Sequence, residues 1–373
     1  MRIGIEAQRL QRTKKHGMDI VALELVRALQ RLDSKHEFFV FVKTDADREA
    51  VKSGNGVTVV EIPGGPYPYW EQVLLPRAAS KYQLDVLHCT ANTAPLFTRI
   101  PLLLHLHDII FLERFDLKNG SWYQRIGNLY RRLLVPRLIP KVREVLTVSD
   151  YENEVIRKFF GLGDKVQTVY NGVGDHFKPV PASETDAFAA KHQLPEAFVL
   201  FLGNTDPKKN TEGMLRALDI AEKKHGFAPT LVMLDLDRGY LQALLDKIGN
   251  QNLASRIRLT GYLPNRELPL LMNRATIYVY PSLRESFGIP PLEAMGCGLP
   301  VIASNTSSMP EVCGDAALSI DPFQPETIAD AMHTLWHDEN LKQELRAKGL
   351  ERVKQFSWDQ MAHRMLGIYE RQR

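Results

Sequence analysis

The chain has 373 residues, of which 44% are hydrophobic and 24% charged, and a net charge of +3. That length suggests two or three domains with sizeable cores. The near balance of charge excludes a dedicated polyanion binder, so any nucleic-acid or membrane contact would need a local patch. Cys89, Cys297 and Cys313 show no CxxC spacing and no histidine at zinc-ligand distance, which reads as reduced thiols in a cytosolic protein.

Met1–Ile5 starts a short strand rather than a secretory signal, because no apolar core region follows it. Further strands are expected at Phe38–Val42, Val57–Glu61, Val86–Cys89, Leu102–His107 and Glu144–Val148. Between the first two, Met18–Leu32 has apolar residues at helical spacing. Ile100–Leu112 is the longest apolar run. His105, His107 and Asp108 interrupt it, and it is too short to span a bilayer.

Residues 171–183, NGVGDHFKPVPAS, read as a link between domains. The same alternation then resumes. Strands are expected at Phe198–Gly203, Thr230–Leu234, Ile257–Leu259, Ile277–Tyr280, Pro300–Ala303 and Ala317–Ile320. Helices are expected at Thr211–His225, Tyr240–Ile248, Glu267–Arg274 and Pro325–His337, with a last helical pattern over 356–373. Alternating β and α predicts an α/β chain: two Rossmann-like, doubly wound parallel sheets facing across a cleft. The expected division is 1–178 and 179–355.

Ligands of such sheets bind beyond the carboxyl ends of strands. The stretch RESFGIPPLEAMG, 284–296, follows a strand there. Pro290 and Pro291 suit a first helical turn, and a helix N-terminus offers free N–H groups to a phosphate. Gly288 permits close backbone approach. Ser286, Phe287 and Gly288 could present amides to an anion, with Glu285 and Glu293 accepting bonds from hydroxyls on either side. An anion between two polyols describes a nucleotide sugar. The plain alternative is a dipole-compensating Glu293 and a solvated Glu285.

Lys208 and Lys209, in FLGNTDPKKN, sit where a lysine could neutralise a diphosphate, or be solvated turn residues. His107 ends a strand in LLLHLHDII, where a buried, hydrogen-bonded histidine is the commoner explanation. Gly17, in KKHGMD, could admit a ligand to a helix N-terminus or merely serve a turn.

Six blocks in chain order resemble family 4 of the retaining glycosyltransferases, which have the GT-B fold. They are HDII, LTVSDYENEVI, VYNGVGDHFKP, FLGNTDPKKN, ESFGIPPLEAMGCGLPVIAS and SSMPEVCGDAALSIDP. The E-x7-E of the fifth is the family's signature, and the resemblance covers nearly the whole chain. It implies a catalytic set of Glu285, His107 and Lys209. Glu285 would meet the donor hexose, Glu293 the ribose, the Phe287 and Gly288 amides the sugar or diphosphate, and Lys209 the diphosphate. His107 would approach the transferred sugar, and Gly17 would lie near the diphosphate. The last helix, with Trp358, would cross back to the N-terminal domain.

Two positions depart from the pattern. Asn204 stands where many members carry arginine, so Lys208 or another base would substitute for the missing charge. His16 replaces the first of two glycines, so His16 or Asp19 would touch the acceptor.

The resemblance implies transfer of a hexose, with mannose favoured, from a nucleotide diphosphate sugar to a glycan or lipid-linked glycan hydroxyl. It implies retention of configuration, no metal and no cofactor, since the sugar nucleotide (GDP-mannose favoured) is a substrate. The setting would be bacterial polysaccharide synthesis in the cytoplasm, without nucleic acid. Rival readings are an epimerase or phosphorylase of similar fold and a non-catalytic sugar-nucleotide binding subunit. Residues 125–143 interleave Arg125, Arg131, Arg132, Arg137, Lys141 and Arg143 with leucines and isoleucines. They could rest on anionic lipid at the inner face of the membrane. An ordinary surface helix with a core-facing apolar side explains them too, and Pro136 and Pro140 interrupt its regularity.

Overall fold

In the computed structural model, residues 1–113, 122–234 and 236–373 are described. The chain forms two compact units, the first made of Met1–Gly172 with Trp358–Arg373 and the second of Val173–Ser357. The passage between them falls inside the expected link, earlier than the expected 178/179 division.

The first unit holds a parallel sheet of β1 (Arg2–Glu6), β2 (Glu37–Lys43), β3 (Val57–Ile62), β4 (Val86–Cys89), β5 (Leu102–His105), β6 (Glu144–Thr147) and β7 (Val166–Thr168). The spatial order is β3-β2-β1-β4-β5-β6-β7. Runs such as EFFVFVK are buried over five consecutive residues, as a strand covered on both faces requires. Two expected strands are shorter than their apolar runs. Leu102–His107 pairs only to His105, because Asn92 accepts the His107 backbone N–H at 2.7 Å and draws the chain out of the ladder.

The helix Gly17–Arg31 starts where the Asp19 carboxylate accepts the His16 N–H at 3.1 Å. The helix Trp122–Leu138 runs through Pro136, so that proline does not end it as its chemistry suggested. Leu134, Val135 and Leu138 face the core. The Arg125 side chain lies outside the described residues. The last helix, Trp358–Glu370, buries Trp358, Met361, Met365 and Tyr369 in this unit. Its end is tied by Gln372 Nε2 to Glu144 at 2.7 Å and by Arg143 to the Gln372 carbonyl at 2.5 Å.

The second unit holds β8 (Val199–Phe201), β9 (Leu231–Met233), β10 (Ile257–Leu259), β11 (Ile277–Tyr280), β12 (Val301–Ser304) and β13 (Ala317–Ile320). All pairings are parallel, in the order β10-β9-β8-β11-β12-β13. Helices Thr211–His225 and Pro325–His337 cover this sheet through Met214, Leu218, Met332 and Leu335. Both sheets reverse direction of growth once, between β1 and β4 and between β8 and β11. These are the points where adjacent loops diverge and leave room for a ligand.

Candidate functional site

The loop after β8 is built from its own side chains. Asn204 Oδ1 accepts the Asp206 N–H at 2.8 Å, and Asp206 Oδ1 accepts that of Lys208 at 3.1 Å. These turns shape a short 3-10 segment, Pro207–Lys209. Asn210 follows in the left-handed region, φ +59°. Its Nδ2 donates to the Pro281 carbonyl at 3.1 Å and to that of Pro322 at 2.7 Å. The Leu283 N–H donates to the Lys208 carbonyl at 2.7 Å. The loops after β8 and β11 are therefore stitched together, and Lys209 is carried to the β11 side.

Lys209 Nζ donates to Glu285 Oε1 and to the Tyr280 hydroxyl, both at 2.7 Å, and stands 4.8 Å from the Tyr280 ring centroid. Glu285 is 7% exposed. Burial alone would raise its pKa. The charge of Lys209, then that of Lys208, and the bonds from Lys209 and Tyr280 outweigh burial and hold it below the usual carboxylate range. The Glu285 backbone is fixed as well. Its N–H meets Ser307 Oγ at 2.9 Å, and Ser308 Oγ donates to the carbonyls of Glu285 and Phe287 at 3.1 and 3.0 Å.

Gly288 has φ +95° and immediately precedes the helix Ile289–Gly296. A Cβ there would lie 2.1 Å from Met309 Cε, so the position needs glycine for its dihedral and for space. Phe287 is buried with its ring edge-on to Phe356, 5.7 Å between centroids, so its side chain serves packing. Glu293 stands in the helix. Loss of water pushes its pKa up to about 8, and among the described residues no hydrogen bond reaches its carboxyl. A shielded carboxyl without a partner is uncommon in folded proteins.

The other expected residues divide. Lys208 is partly exposed, with Asp206 at 3.8 Å. Asn204 is exposed, and its side chain is occupied by the turn. In the first unit, His107 is buried, and its Nε2 meets the Thr90 carbonyl at 2.9 Å. A carbonyl only accepts, so Nε2 carries the proton. Its ring stacks on His105 at 4.5 Å. Burial lowers its pKa, partly offset by the Thr90 bond and by Asp108 and Asp19, which keeps the imidazole neutral. Asp19 is buried and caps its helix, with Arg9 at 3.9 Å. His16 is exposed. Gly17 has nothing within 4 Å of where a Cβ would stand, and its φ is not positive, so the turn itself does not require glycine.

Sequence reasoning missed Tyr280, Asn210, Ser307 and Ser308. Tyr280 carried one signal, an aromatic with a hydroxyl as the last strand residue before the loop. It also missed a buried network at the β1/β4 switch point. There Glu71 accepts bonds from Tyr67, Thr93, Gln72 and Tyr130, and burial pushes the neighbouring Glu6 up to about 7. Every oxygen of Glu71 is engaged, which is how a structural network looks.

Residues 16–176 match the family model of Glycosyltransferase Family 4, and residues 183–352 that of Glycosyl transferases group 1. An O-antigen chain mannosyltransferase B of Escherichia coli is 33% identical over 229 residues, 61% of this chain and 60% of that protein. A serotype-specific mannosyltransferase, WbdA, also of Escherichia coli, is 32% identical over 56% of this chain and 26% of its own length. The chain thus spans about 60% and about a quarter of these two relatives. The structure of Anabaena Alr3699/HepE in complex with UDP-glucose superposes with a TM-score of 0.77 at 18% identity, covering 99% of both chains. That likeness establishes the two-domain GT-B fold.

Proposed function

Because the chain belongs to the family 4 glycosyltransferases, matching the models of Glycosyltransferase Family 4 and Glycosyl transferases group 1 in succession, we propose that it transfers a hexose from a nucleotide diphosphate sugar to a hydroxyl of a glycan or lipid-linked glycan. Mannose is the favoured sugar and GDP-mannose the favoured donor, supported by the two mannosyltransferase relatives. The setting is assembly of a bacterial polysaccharide.

The observation that carries the reading is the junction of Lys209, Tyr280 and Glu285 at the β8/β11 switch point, beside the Gly288 turn. Lys209 and the N–H groups at Phe287, Gly288 and Ile289 receive the diphosphate. Their charge is fixed before the bond breaks, so negative charge developing on the leaving phosphate is met without reorganisation. Glu285, kept ionised by Lys209, accepts bonds from donor hexose hydroxyls and favours positive charge at the anomeric carbon. Glu293 waits for the ribose hydroxyls, which supply the partners its carboxyl lacks.

The anomeric C–O bond to phosphate breaks, the acceptor oxygen bonds to the same face, and its proton passes to the departing phosphate oxygen. Configuration is retained, and no metal is needed to carry the phosphate charge.

A thermal-shift screen of nucleotide diphosphate sugars comes first, since a ligand bound to the native state raises the melting temperature. Acceptor-dependent release of nucleoside diphosphate and NMR of the new anomeric proton follow. Full transfer activity in both Lys209→Ala and Glu285→Ala would overturn the assignment.

A further inference from the structure

The helix Trp122–Leu138 has two apolar faces, and only one is used by the core. Leu134, Val135 and Leu138 are buried. Ile126, Leu129 and Leu133 are 49%, 50% and 53% exposed. Their spacing, i, i+3 and i+7, puts them on one side of the helix. Pro136 and Pro140 continue the same line and are exposed too. At its far end stands Phe97, 78% exposed, with the Lys141 ammonium 5.1 Å from its ring and bonded to the Leu96 carbonyl at 3.3 Å. An ordinary surface helix turns a single apolar stripe inward. A second stripe in water, contiguous over several turns, marks a surface that something covers.

The flanking charges indicate what covers it. Arg99, Arg137 and Lys141 are exposed, and among the described residues no carboxylate pairs with any of them. Arg137 instead donates to the Leu133 carbonyl, which lays its stem along the stripe. Long bases beside exposed leucine, isoleucine and phenylalanine can extend to phosphate headgroups while the apolar side chains enter the acyl boundary. The chain as a whole carries only +3, so the attraction is local rather than a general affinity for polyanions. We propose that this face, formed by Ile126, Leu129, Leu133 and Phe97 with Arg137 and Lys141, docks the first unit on an anionic lipid surface. The inference stands apart from the donor reading, which concerns the second unit.

The full chain is tested by co-sedimentation with phosphatidylcholine vesicles with and without phosphatidylglycerol. Binding is expected only to the anionic vesicles, and it is expected to weaken as salt approaches about 1 M, where the Debye length falls to ~3 Å. Each base near such a surface changes partitioning by about fivefold, so Arg137→Glu with Lys141→Glu should lower it by more than about 25-fold. Leu129→Glu with Leu133→Glu should lower it by more than tenfold. All four positions are exposed, so circular dichroism and melting should remain those of the parent. Arg238→Glu, at an exposed position on the second unit, should leave vesicle binding unchanged.

Failure to bind anionic vesicles would overturn the proposal, as would binding that survives both double substitutions. Lipid-free self-association abolished by Leu133→Glu would also overturn it, since the face would then be a protein interface.

Discussion

Replacing Glu293 by glutamine separates what this carboxyl costs the fold from what it does for a ligand. Its pKa is raised from 4.5 to about 8 by loss of water, so the folded chain binds a proton that the unfolded chain releases. Stability from this group is therefore complete below pH 4.5 and falls as pH rises through the window up to about 8. At about 1.4 kcal/mol per pH unit, the full cost at pH 8 and above would approach ~5 kcal/mol. The side chain keeps some contact with water, so ~2–3 kcal/mol is the expected size. Glutamine has nearly the same shape and no charge to desolvate. Urea unfolding should find Glu293→Gln about equal to the parent at pH 5 and more stable by ~2–3 kcal/mol at pH 8.5. The same variant should bind the donor more weakly, because a ribose hydroxyl loses an anionic acceptor worth about 1.5–3 kcal/mol. Thermal shift with and without donor reads both effects on one sample. A variant no more stable at pH 8.5 than the parent would refute the claim that the carboxyl is held neutral by its surroundings.

Lys209→Met should leave the Glu285 carboxylate buried without its cation, a loss of about 3 kcal/mol at pH 7. Adding Glu285→Gln should recover most of it, and the gap between Lys209→Met and parent should narrow toward pH 4 as Glu285 takes a proton. Equal stability of the single and double variants in urea would show that the pair is not coupled. Gly288→Ala should lose about 1–3 kcal/mol through its left-handed φ alone, and more through the clash with Met309. Met309→Ala in that background should restore only the steric part, read as a partial rise in melting temperature.

Much of the architecture was legible because it follows from local pattern. Thr211–His225 and Pro325–His337 form over the expected residues, each with a clear inward stripe and a distinct start. The helix Glu339–Arg352 went unnoticed for the opposite reason. It buries only Leu345 and Gly349, so its sequence carries almost no periodicity. Strand β7 was not expected either: its VQT is polar at two of three positions and buries only Val166.

The site was legible in pieces. Glu285, Gly288 and Lys209 could be placed at strand ends, because glycine, proline and charge punctuate those loops. Their partnership was not. Lys209 and Glu285 lie 76 positions apart, and Asn210 brings them together through bonds to two distant carbonyls. No spacing rule contains that information. The basic helix is the mirror case. Its composition is compatible with a lipid-facing surface and with an ordinary core-facing stripe, and only the fold separates Leu134 and Val135, buried, from Leu129 and Leu133, exposed.

Two carboxyls whose surroundings push their pKa values apart are a common sign of an acid–base pair. Glu285 and Glu293 meet that description, one held low and the other pushed up to about 8. The causes argue against the role. Burial acts on both, but at Glu285 the charges of Lys209 and Lys208 and the bonds from Lys209 and Tyr280 outweigh it, while loss of water is all that moves Glu293. Neither feels the other's charge, and no hydrogen bond joins them. An acid and a base that relay one proton must share a reacting atom, whereas these two stand on either side of the Gly288 turn and the N–H groups beyond it. Their protonation states suit separate tasks. A carboxylate fixed by a lysine can remain charged beside a sugar that becomes cationic. A neutral, partnerless carboxyl can ionise as hydroxyls arrive, so binding itself would release a proton near pH 7. Isothermal titration in buffers of different ionisation enthalpy would count that proton, and Glu293→Gln would abolish it while Glu285→Gln would not.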